Sequence, residues 1–435
     1  MNLKTTLLSA TALALMITGA HAQSTTVTIA TVNNGDMIRM QGLTDAFNEA
    51  HPDITLEWVT LEENVLRQRV TQDIATNGGQ FDVLTIGTYE VPIWGAQGWL
   101  MSLNDLPAEW NTDDLLPAIR DGLTVDGELF AAPFYGESSM VMYRTDLMEA
   151  AGLEMPEAPT WEFIREAAEA MTGDGVYGIC LRGKAGWGEN MAFITAMANS
   201  FGARWFDEEW NAQFDSPEWA ETLDFYVDLM TEYGPPGASN NGFNENLSLF
   251  QQGNCGMWID ATVAASFVTN PTDSTVADSV GFALAPDNGL GPRGNWLWAW
   301  SLAVPNSSDA PDAAKTFIAW ATSQEYSELV AENEGWANVP PGTRTSLYEN
   351  PEYLEAAPFA EMTLASINAA DPTSPTVDPV PYTGVQFVAI PEFAGIGTQV
   401  GQEFSAALAG QQSVEDALAD AQALTTDEME AAGYR

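Results

Sequence analysis

Aromatic and polar residues occur together at three places where strands are predicted to end. These places are Trp258-Ile-Asp260, Asn295-Trp-Leu-Trp-Ala-Trp300 and Gly335-Trp-Ala-Asn338. Flat apolar rings suit the C–H faces of sugars and polyols, and carboxylates or amides form hydrogen bonds with neighbouring hydroxyl groups. The residue types therefore indicate a site for a small molecule that is rich in hydroxyl groups.

The same tryptophans could instead belong to the hydrophobic core. In a regular strand Trp296, Trp298 and Trp300 share one face, because successive side chains alternate between the two faces. Such a row can fill a core or form one wall of a cleft. We favour the core for Trp296 and Trp300, whereas for Trp298 both interpretations stay open.

Two charged residues in predicted loops are further binding candidates. Arg182 follows a strand and enters the glycine-rich segment Gly183-Lys-Ala-Gly-Trp187, in a chain with only 14 basic residues. Glu137 lies between Gly136 and Ser138. The alternative for Arg182 is a surface ion pair with acidic neighbours, and the alternative for Glu137 is a solvated loop carboxylate.

Charge balance and motif content exclude several other functions. The chain has 435 residues, of which 61 are acidic, and its formal net charge is −47, so nucleic acids are poor partners. Its two histidines, His21 and His51, are too few for the usual histidine-dependent triads and zinc or iron sites. The sequence contains no phosphate-binding loop, dinucleotide fingerprint or zinc-protease motif. We therefore expect no cofactor and no metal.

Paired carboxylates leave one enzymatic alternative, a secreted protein that acts on glycosides. In a chain with 61 acidic residues, however, two carboxylates near an aromatic ring are weak evidence for such a site. We therefore expect a binding protein and no enzyme.

Residues 1–22 have the features of a secretory signal peptide. Lys4 supplies the positive charge, residues 7–17 form a mostly apolar run too short to span a bilayer, and Ala20-His-Ala22 is a small-x-small cleavage site. The alternative is a buried N-terminal helix. We expect cleavage after Ala22 and a periplasmic protein without a lipid anchor, since no cysteine lies near the cleavage site.

The two cysteines, Cys180 and Cys255, each lie at an end of a predicted strand. In an oxidising compartment, a single pair of cysteines on neighbouring strands predicts a disulfide. The alternative is two separate buried thiols that pack as small hydrophobic side chains.

The elements that must position these residues alternate between strand and helix. Strands are predicted at residues 26–30, 54–59 and 81–86, with a helix at residues 37–50 and another around Leu66, Val70 and Ile74. This order indicates a parallel sheet with helices on both faces, and ligands bind such sheets outside the carboxyl ends of the strands. Further helices are predicted at residues 160–171, 190–199, 216–233 and 311–322. The length and a hydrophobic fraction of 46% suffice for two domains.

Longer strings of the sequence resemble a known family. The export signal, the third predicted strand with Asp82, the segment Pro133-Phe-Tyr-Gly-Glu-Ser-Ser-Met-Val-Met-Tyr-Arg144 and the helix beginning at Pro311 resemble extracellular solute-binding proteins of family 1, which serve ABC importers. The resemblance covers the whole chain after the signal peptide. Four further strings, at residues 30–37, 257–263, 296–302 and 384–392, are similar to the sorbitol/mannitol-binding subgroup.

The resemblance implies an α/β, two-lobed periplasmic-binding-protein fold, with a sheet flanked by helices in each lobe and a ligand cleft between the lobes. The first lobe would contain residues 23–135 and about 296–333, and the second residues 136–295 and about 334–435. The implied function is to close on a sugar alcohol or related sugar and to deliver it to ABC permease subunits. We expect a monomer, and coupling to a chemoreceptor stays open.

The resemblance also assigns ligand-binding roles to residues after the strands and at the crossing between lobes. Among them, we expect Arg182 and Asp260 to face the cleft from the second lobe, with Glu137 and Asn34 opposite. The alternative for Asp260 is a cap on the helix predicted near Thr262. The full set is Asn33, Asn34, Asp36, Thr88, Tyr89, Glu137, Arg182, Trp258, Asp260, Trp298 and Trp336.

Overall fold

The computed structural model describes residues 24–435 of the chain. The predicted signal peptide and its cleavage site lie outside the described residues and stay predictions. The strands form two main sheets and one short hairpin. In chain order they are β1 (Thr25–Val32), β2 (Ile54–Leu61), β3 (Val83–Ile86), β4 (Thr124–Val125), β5 (Glu128–Leu129), β6 (Ala132–Glu137), β7 (Ser139–Arg144), β8 (Tyr177–Cys180), β9 (Cys255–Ala261), β10 (Val280–Leu284) and β11 (Trp298–Ala303).

Helices connect the strands and pack against both sheets, and after β11 the chain consists of helices and loops. In chain order they are α1 (Gly35–Gly42), α2 (Thr44–Ala50), α3 (Glu63–Ala75), α4 (Glu90–Ala96), α5 (Pro117–Gly122), α6 (Thr145–Ala151), α7 (Trp161–Met171), α8 (Asn190–Ser200), α9 (Pro217–Tyr233), α10 (Phe243–Gln251), α11 (Ala264–Val268), α12 (Pro311–Ala321), α13 (Gln324–Glu334), α14 (Pro351–Ala356), α15 (Ala360–Asn368), α16 (Phe393–Leu408) and α17 (Val414–Ala431). Short 3₁₀ turns lie at Ala108–Trp110, Thr112–Asp114, Ala238–Asn240, Ala277–Ser279, Trp336–Asn338 and Thr345–Glu349. Among residues 24–435, every helix is too short or too polar to cross a bilayer.

The first sheet has the order β2-β1-β3-β11-β6. Its strands β1, β2 and β3 are parallel, as the alternation of strands and helices predicts, but β11 runs antiparallel to both β3 and β6. The predicted parallel arrangement is therefore confirmed for β1 to β3, and β11 is an antiparallel strand added to this sheet from later in the chain. The chain leaves this sheet at the carboxyl end of β6 and returns beside the same strand end, where Trp298 lies opposite Glu137. The returning strand β11 must therefore run in the opposite direction to β6.

The second sheet has the order β10-β7-β9-β8. The strand β7 pairs antiparallel with both β10 and β9, and β8 is parallel to β9. The chain passes from β6 to β7 through the buried residue Ser138, three residues after the expected end of the first lobe segment at residue 135. At the return crossing, the Asn295 amide donates hydrogen bonds to the Ser138 hydroxyl at 3.3 Å and to the Ser366 carbonyl oxygen at 3.1 Å. The two crossings are thus joined directly.

In the two helices compared next, the sequence correctly predicts where one helix begins but not that the other is interrupted. The helix α9 begins as expected, because Ser216 accepts a hydrogen bond from the Trp219 amide and Pro217 occupies the first helical position. The helix predicted at residues 37–50 is instead divided at Leu43 into α1 and α2. At this point the Thr44 hydroxyl donates to the Gln41 carbonyl oxygen, a local bond that competes with the regular helical pattern.

Candidate functional site

A polar cavity of about 130 Å³ lies between the two sheets. The first sheet contributes residues that follow β1 and β2 or lie on β6, and the second contributes the segment after β8 and the start of α10. This arrangement brings loops together at strand ends, the usual position of a ligand in such folds. The polar residues lining it are Asn33, Asn34, Glu62, Glu63, Tyr135, Glu137, Arg182, Lys184, Glu189, Asn244 and Glu245.

A smaller cavity of about 30 Å³ adjoins the polar one, because Glu63, Glu137, Arg182 and Trp300 line both. Its remaining walls are mainly aromatic and include Trp187, Trp296 and Trp298. The two cavities together form one site with a polar end and an aromatic end. That combination suits a molecule with hydroxyl groups along an apolar carbon chain.

Arg182 is fixed at the polar end by a carboxylate that lies behind it. Its Nη2 atom is 2.7 Å from Asp260 Oδ1 and its Nε atom is 2.9 Å from Asp260 Oδ2, a bidentate pair in which Asp260 is fully buried. Burial alone would lower the pKa of Arg182, but the adjacent Asp260 carboxylate, together with those of Glu189 and Glu63, outweighs burial and raises that pKa. Arg182 therefore lines the site as a permanent cation.

Asp260 also accepts hydrogen bonds from Trp258 Nε1 at 3.1 Å and from the Ala261 amide at 2.7 Å. Its oxygens are thus occupied by protein donors, and neither Asp260 nor Trp258 lines the two cavities. The alternative role as a helix cap is wrong, because α11 begins at Ala264 without a side-chain cap. Asp260 instead orients Arg182.

Glu137 ends β6 and lies directly opposite Trp298 in the ladder between β6 and β11. Its side chain is 5% exposed and lines both cavities, so it is not the solvated loop carboxylate of the alternative interpretation. Burial raises the pKa of Glu137 well above its usual value; Arg182 opposes the shift, and the carboxylates of Asp260 and Glu63 add to it. A ligand hydroxyl donating to Glu137 would favour its ionised form.

Glu189 is the second buried carboxylate at the polar end. Burial and the nearby Glu63 raise the pKa of Glu189 to about 7, against the lowering effect of Arg182 and Lys184. Its Oε1 atom is 3.2 Å from Lys184 Nζ, whereas its Oε2 atom is buried without a hydrogen-bond partner among the described residues. This Oε2 atom lies 3.6 Å from Arg182 Nη1, so it faces a positive charge but accepts no hydrogen bond within the protein.

The aromatic end is organised around Arg67 of α3. Its Nη1 atom is 2.8 Å from Glu90 Oε1 and its Nη2 atom is 2.9 Å from Glu63 Oε1. The guanidinium carbon lies 4.0 Å from the Trp187 ring centroid, and 4.9 and 4.8 Å from those of Trp298 and Trp300. Cation–π attraction thus holds three rings in place around one buried charge.

Polar contacts join the segment after β2 to the segment after β8. Lys184 forms an ion pair with Glu62, and the Asn64 amide donates to the Ala185 carbonyl oxygen at 3.1 Å. These contacts connect the two sheets across the mouth of the polar cavity. We call the Lys184–Glu62 pair the latch.

The structure brings some of the predicted site residues together. Asn33, Asn34, Glu137 and Arg182 line the polar cavity, and Trp298 lines the aromatic one. The other predicted residues, Asp36, Thr88, Tyr89, Trp258, Asp260 and Trp336, do not line either cavity.

Asp36 and Tyr89, two of the residues outside the cavities, have polar partners elsewhere in the protein. Asp36 pairs with Arg39, and burial raises the pKa of Asp36 to about 6. Tyr89 donates to the Ile390 carbonyl oxygen at 2.9 Å, Thr88 is buried, and Trp336 is half-buried in a 3₁₀ turn. The amide of Asn34, within the site, donates to the Tyr135 hydroxyl, and its oxygen accepts from the Met37 amide at 3.3 Å.

Sequence reasoning missed Glu63, Arg67, Lys184 and Glu189. A signal existed for two of them, because Glu63 and Arg67 are four residues apart on a predicted helix in a chain with few basic residues. Lys184 lies in the same glycine-rich segment as Arg182 and was not singled out. Glu189 follows that segment without any distinguishing pattern.

The two cysteines are joined in the structure. Cys180 ends β8, Cys255 begins β9, their Cα atoms are 6.1 Å apart, and the side chains form a disulfide. Arg182 follows Cys180 by two residues, so the disulfide lies next to the polar end of the site.

Comparison with known proteins places these features in a family. The sequence profile of bacterial extracellular solute-binding proteins matches residues 34–328. The chain is 59% identical over 429 residues to a mannitol-binding protein from Pseudomonas aeruginosa, with 98% of each chain covered.

Solved structures of solute-binding proteins have the same fold as this chain. An ABC transporter solute-binding protein from Agrobacterium vitis, with bound D-mannitol, has a TM-score of 0.94 and 70% identity, covering 94% of this chain and 99% of that one. A solute-binding protein from Agrobacterium radiobacter in complex with ribitol has a TM-score of 0.82 at 24% identity, covering 93% and 99%, and shows the fold alone. The predicted two-lobed α/β fold is confirmed.

Proposed function

The chain belongs to the bacterial extracellular solute-binding proteins, and from this premise we propose that it binds a sugar alcohol of the mannitol type for an ABC importer. The observation that carries the proposal is the site between the sheets, where Glu137 and Arg182 adjoin a wall that includes Trp298 and Trp300. A linear polyol has hydroxyl groups that both donate and accept, along a carbon chain that packs on flat rings. Both the similar protein from Pseudomonas and the one from Agrobacterium vitis have mannitol as their named ligand.

Each end of the site has a role in this proposal. Glu137 and Glu189 Oε2, which accepts no hydrogen bond within the protein, accept hydrogen bonds from ligand hydroxyls, and the remaining N–H groups of Arg182 donate to them. Asn34 and Trp298 contact the ligand from the first lobe. Asp260 acts through Arg182 and does not touch the ligand.

The lobe boundaries and the cellular location belong to the same proposal. We assign strands of the first sheet to one lobe and strands of the second sheet to the other, with crossings at Ser138 and near Asn295 and a third near Glu334. The ligand is captured as the lobes close and is then delivered to the permease. The protein is a periplasmic monomer, exported by cleavage after Ala22 and free of a lipid anchor.

Calorimetric titration of the purified protein with D-mannitol, D-sorbitol, hexoses and amino acids tests the proposal. We expect saturable binding of one polyol per chain, and a gain in folding stability of about 2.7 kcal/mol when free polyol is at about a hundred times its Kd. A response to amino acids alone would contradict the polyol assignment. Mass spectrometry after denaturation should recover the polyol unchanged, whereas a converted product would favour the glycoside-acting enzyme.

A further inference from the structure

Acidic residues outnumber basic ones around the polar cavity. Five glutamates line it, whereas Arg182 and Lys184 are its two cations. Two of the five, Glu137 and Glu189, are at most 5% exposed, so solvent screens their charges poorly. The cavity is therefore unfavourable for a ligand that carries a negative charge.

Each cation of the site already has carboxylate partners. Arg182 is held by both oxygens of Asp260, and Lys184 pairs with Glu62 and with Glu189. At the aromatic end, Arg67 pairs with Glu63 and Glu90. Among residues 24–435, no cation lining either cavity is left without a carboxylate, so an incoming anion finds no uncompensated positive charge.

The site has free acceptors on two buried glutamates and one free donor, Trp298 Nε1–H, at the aromatic end. Glu137 lines both cavities without a hydrogen bond or ion pair to any side chain of the described residues, and Glu189 Oε2 forms no hydrogen bond and lies 3.6 Å from Arg182 Nη1. These oxygens require a donor from the ligand, because a buried acceptor without a donor is costly. A hydroxyl group supplies a donor, whereas a carboxylate or a phosphate dianion supplies only acceptors.

From these observations we propose that the site selects neutral, hydroxyl-rich ligands by charge and rejects their carboxylated and phosphorylated derivatives. The inference rests on the proposed polyol function and specifies its substrate class. Like charges brought together in a closed cleft are a known device for excluding wrong ligands. The rejection comes from Glu137 and Glu189 in their ionised forms, because a donating hydroxyl favours those forms whereas a second anion in the same buried cavity opposes them.

Three ligands with one carbon skeleton separate charge from shape. D-mannitol, D-mannonate and D-mannonamide differ only at one end, which is respectively a neutral alcohol, a carboxylate and a neutral amide. Titration calorimetry at about pH 9, above the raised pKa of Glu189, should give mannonate a Kd at least about a hundred times that of mannitol, and mannonamide a Kd within about tenfold of mannitol. Equal rejection of mannonate and mannonamide would show that shape decides, and would overturn the inference.

Charge-neutral variants identify the residues responsible. In Glu137→Gln and Glu189→Gln, the ratio of the mannonate Kd to the mannitol Kd should fall at least about tenfold, whatever happens to mannitol binding itself. The matched control is Glu325→Gln, an exposed residue on α13 that removes the same charge far from the site; it should leave the ratio unchanged.

The wild-type titrations also separate this inference from the function on which it rests. Mannonate that binds within tenfold of mannitol would overturn the charge selection and leave the polyol function intact. A chain that binds none of the three ligands would overturn the polyol function and the inference together.

Discussion

Arg182 and Arg67 are both buried in the site, yet they are fixed in different ways. Arg182 is held by Asp260 and by the Gly188 carbonyl oxygen, both of which belong to the second lobe. Arg67 is held by two glutamates of the first lobe and stacks on Trp187, which comes from the second lobe.

The two arginines differ in whether their partners come from one lobe or from both, and therefore in whether their surroundings depend on lobe closure. The geometry of Arg182 is complete within one lobe, so it can be in place before a ligand arrives. The full ring cluster around Arg67 requires Trp187 and therefore both lobes. We infer that the polar end is pre-organised and that the aromatic end is assembled on closure.

The largest expected effect comes from Asp260→Asn, which removes the charged partner of Arg182 at the polar end of the site. The substitution leaves the charge of Arg182 buried without its bidentate partner, so the ligand-free protein should lose about 3–5 kcal/mol of unfolding free energy. Urea unfolding without ligand measures the loss. The control Asp105→Asn removes one exposed partner of Lys315 and should cost less than about 1 kcal/mol.

An opposite result would restore the sequence prediction. If Asp260→Asn weakens polyol binding but leaves the ligand-free stability at the wild-type value, then Asp260 contacts the ligand directly.

The next largest effect should come from removing the disulfide, which lies next to the polar end of the site and not at its aromatic end. Replacing both Cys180 and Cys255 by serine should lower the unfolding free energy by about 2–4 kcal/mol. Thiol titration of denatured, unreduced periplasmic protein should detect no free cysteine. Two free thiols per chain would show that the pair is not oxidised in the cell.

A smaller effect should appear in the pH dependence of stability. The pKa of Glu189 is raised to about 7 in the folded protein from an ordinary value of 4.5, so the folded state binds this proton more tightly than the unfolded state. The contribution of this group to stability therefore falls as pH rises from about 4.5 to about 7, and is constant above that range.

The variant Glu189→Gln removes this contribution. Urea unfolding of wild type and variant at several pH values gives the difference, which should change between about pH 4.5 and 7 and flatten above. Glu325→Gln, which removes an exposed carboxylate on α13, serves as the control. A flat difference for Glu189→Gln would mean that its carboxylate is charged throughout.

The smallest effect concerns the latch, which joins the two lobes. Glu62→Gln removes the ion pair with Lys184 and leaves the Lys184–Glu189 pair in place; a partly exposed pair contributes up to about 1 kcal/mol, so polyol affinity should fall by up to about fivefold. The loss should shrink as salt rises from about 0.01 M to 1 M. Lys315→Met, whose partner Asp105 lies in the same lobe, should leave the affinity unchanged. An affinity loss that is independent of salt would contradict the latch.

The sequence alone predicts the fold class and the strands that carry the site. Alternation of strand and helix predicts β1 to β3, and the strand ends correctly locate Arg182, Glu137 and the cysteines. These features are local, because they depend on residues a few positions apart.

Side-chain roles at the site depend on contacts between distant segments, and here prediction from the sequence is weaker. The alternation of a strand places Trp258 and Asp260 on one face of β9, but it does not say whether that face meets the cleft or Arg182. Arg67 lies on the buried face of α3 beside Leu66 and Val70, where the pattern predicts only core. Its partner Trp187 is remote in the chain, so periodicity could not have paired them.

The stack of three indoles on Arg67 also has an optical consequence. Tryptophan emission responds to nearby charge, and the rings of Trp187, Trp298 and Trp300 all lie within 5 Å of one guanidinium carbon. One of these rings is brought by the second lobe and two by the first. Opening the cleft would separate Trp187 from the charge and expose it to water, so the colour and intensity of the intrinsic fluorescence should follow the opening and closing of the molecule without any added label.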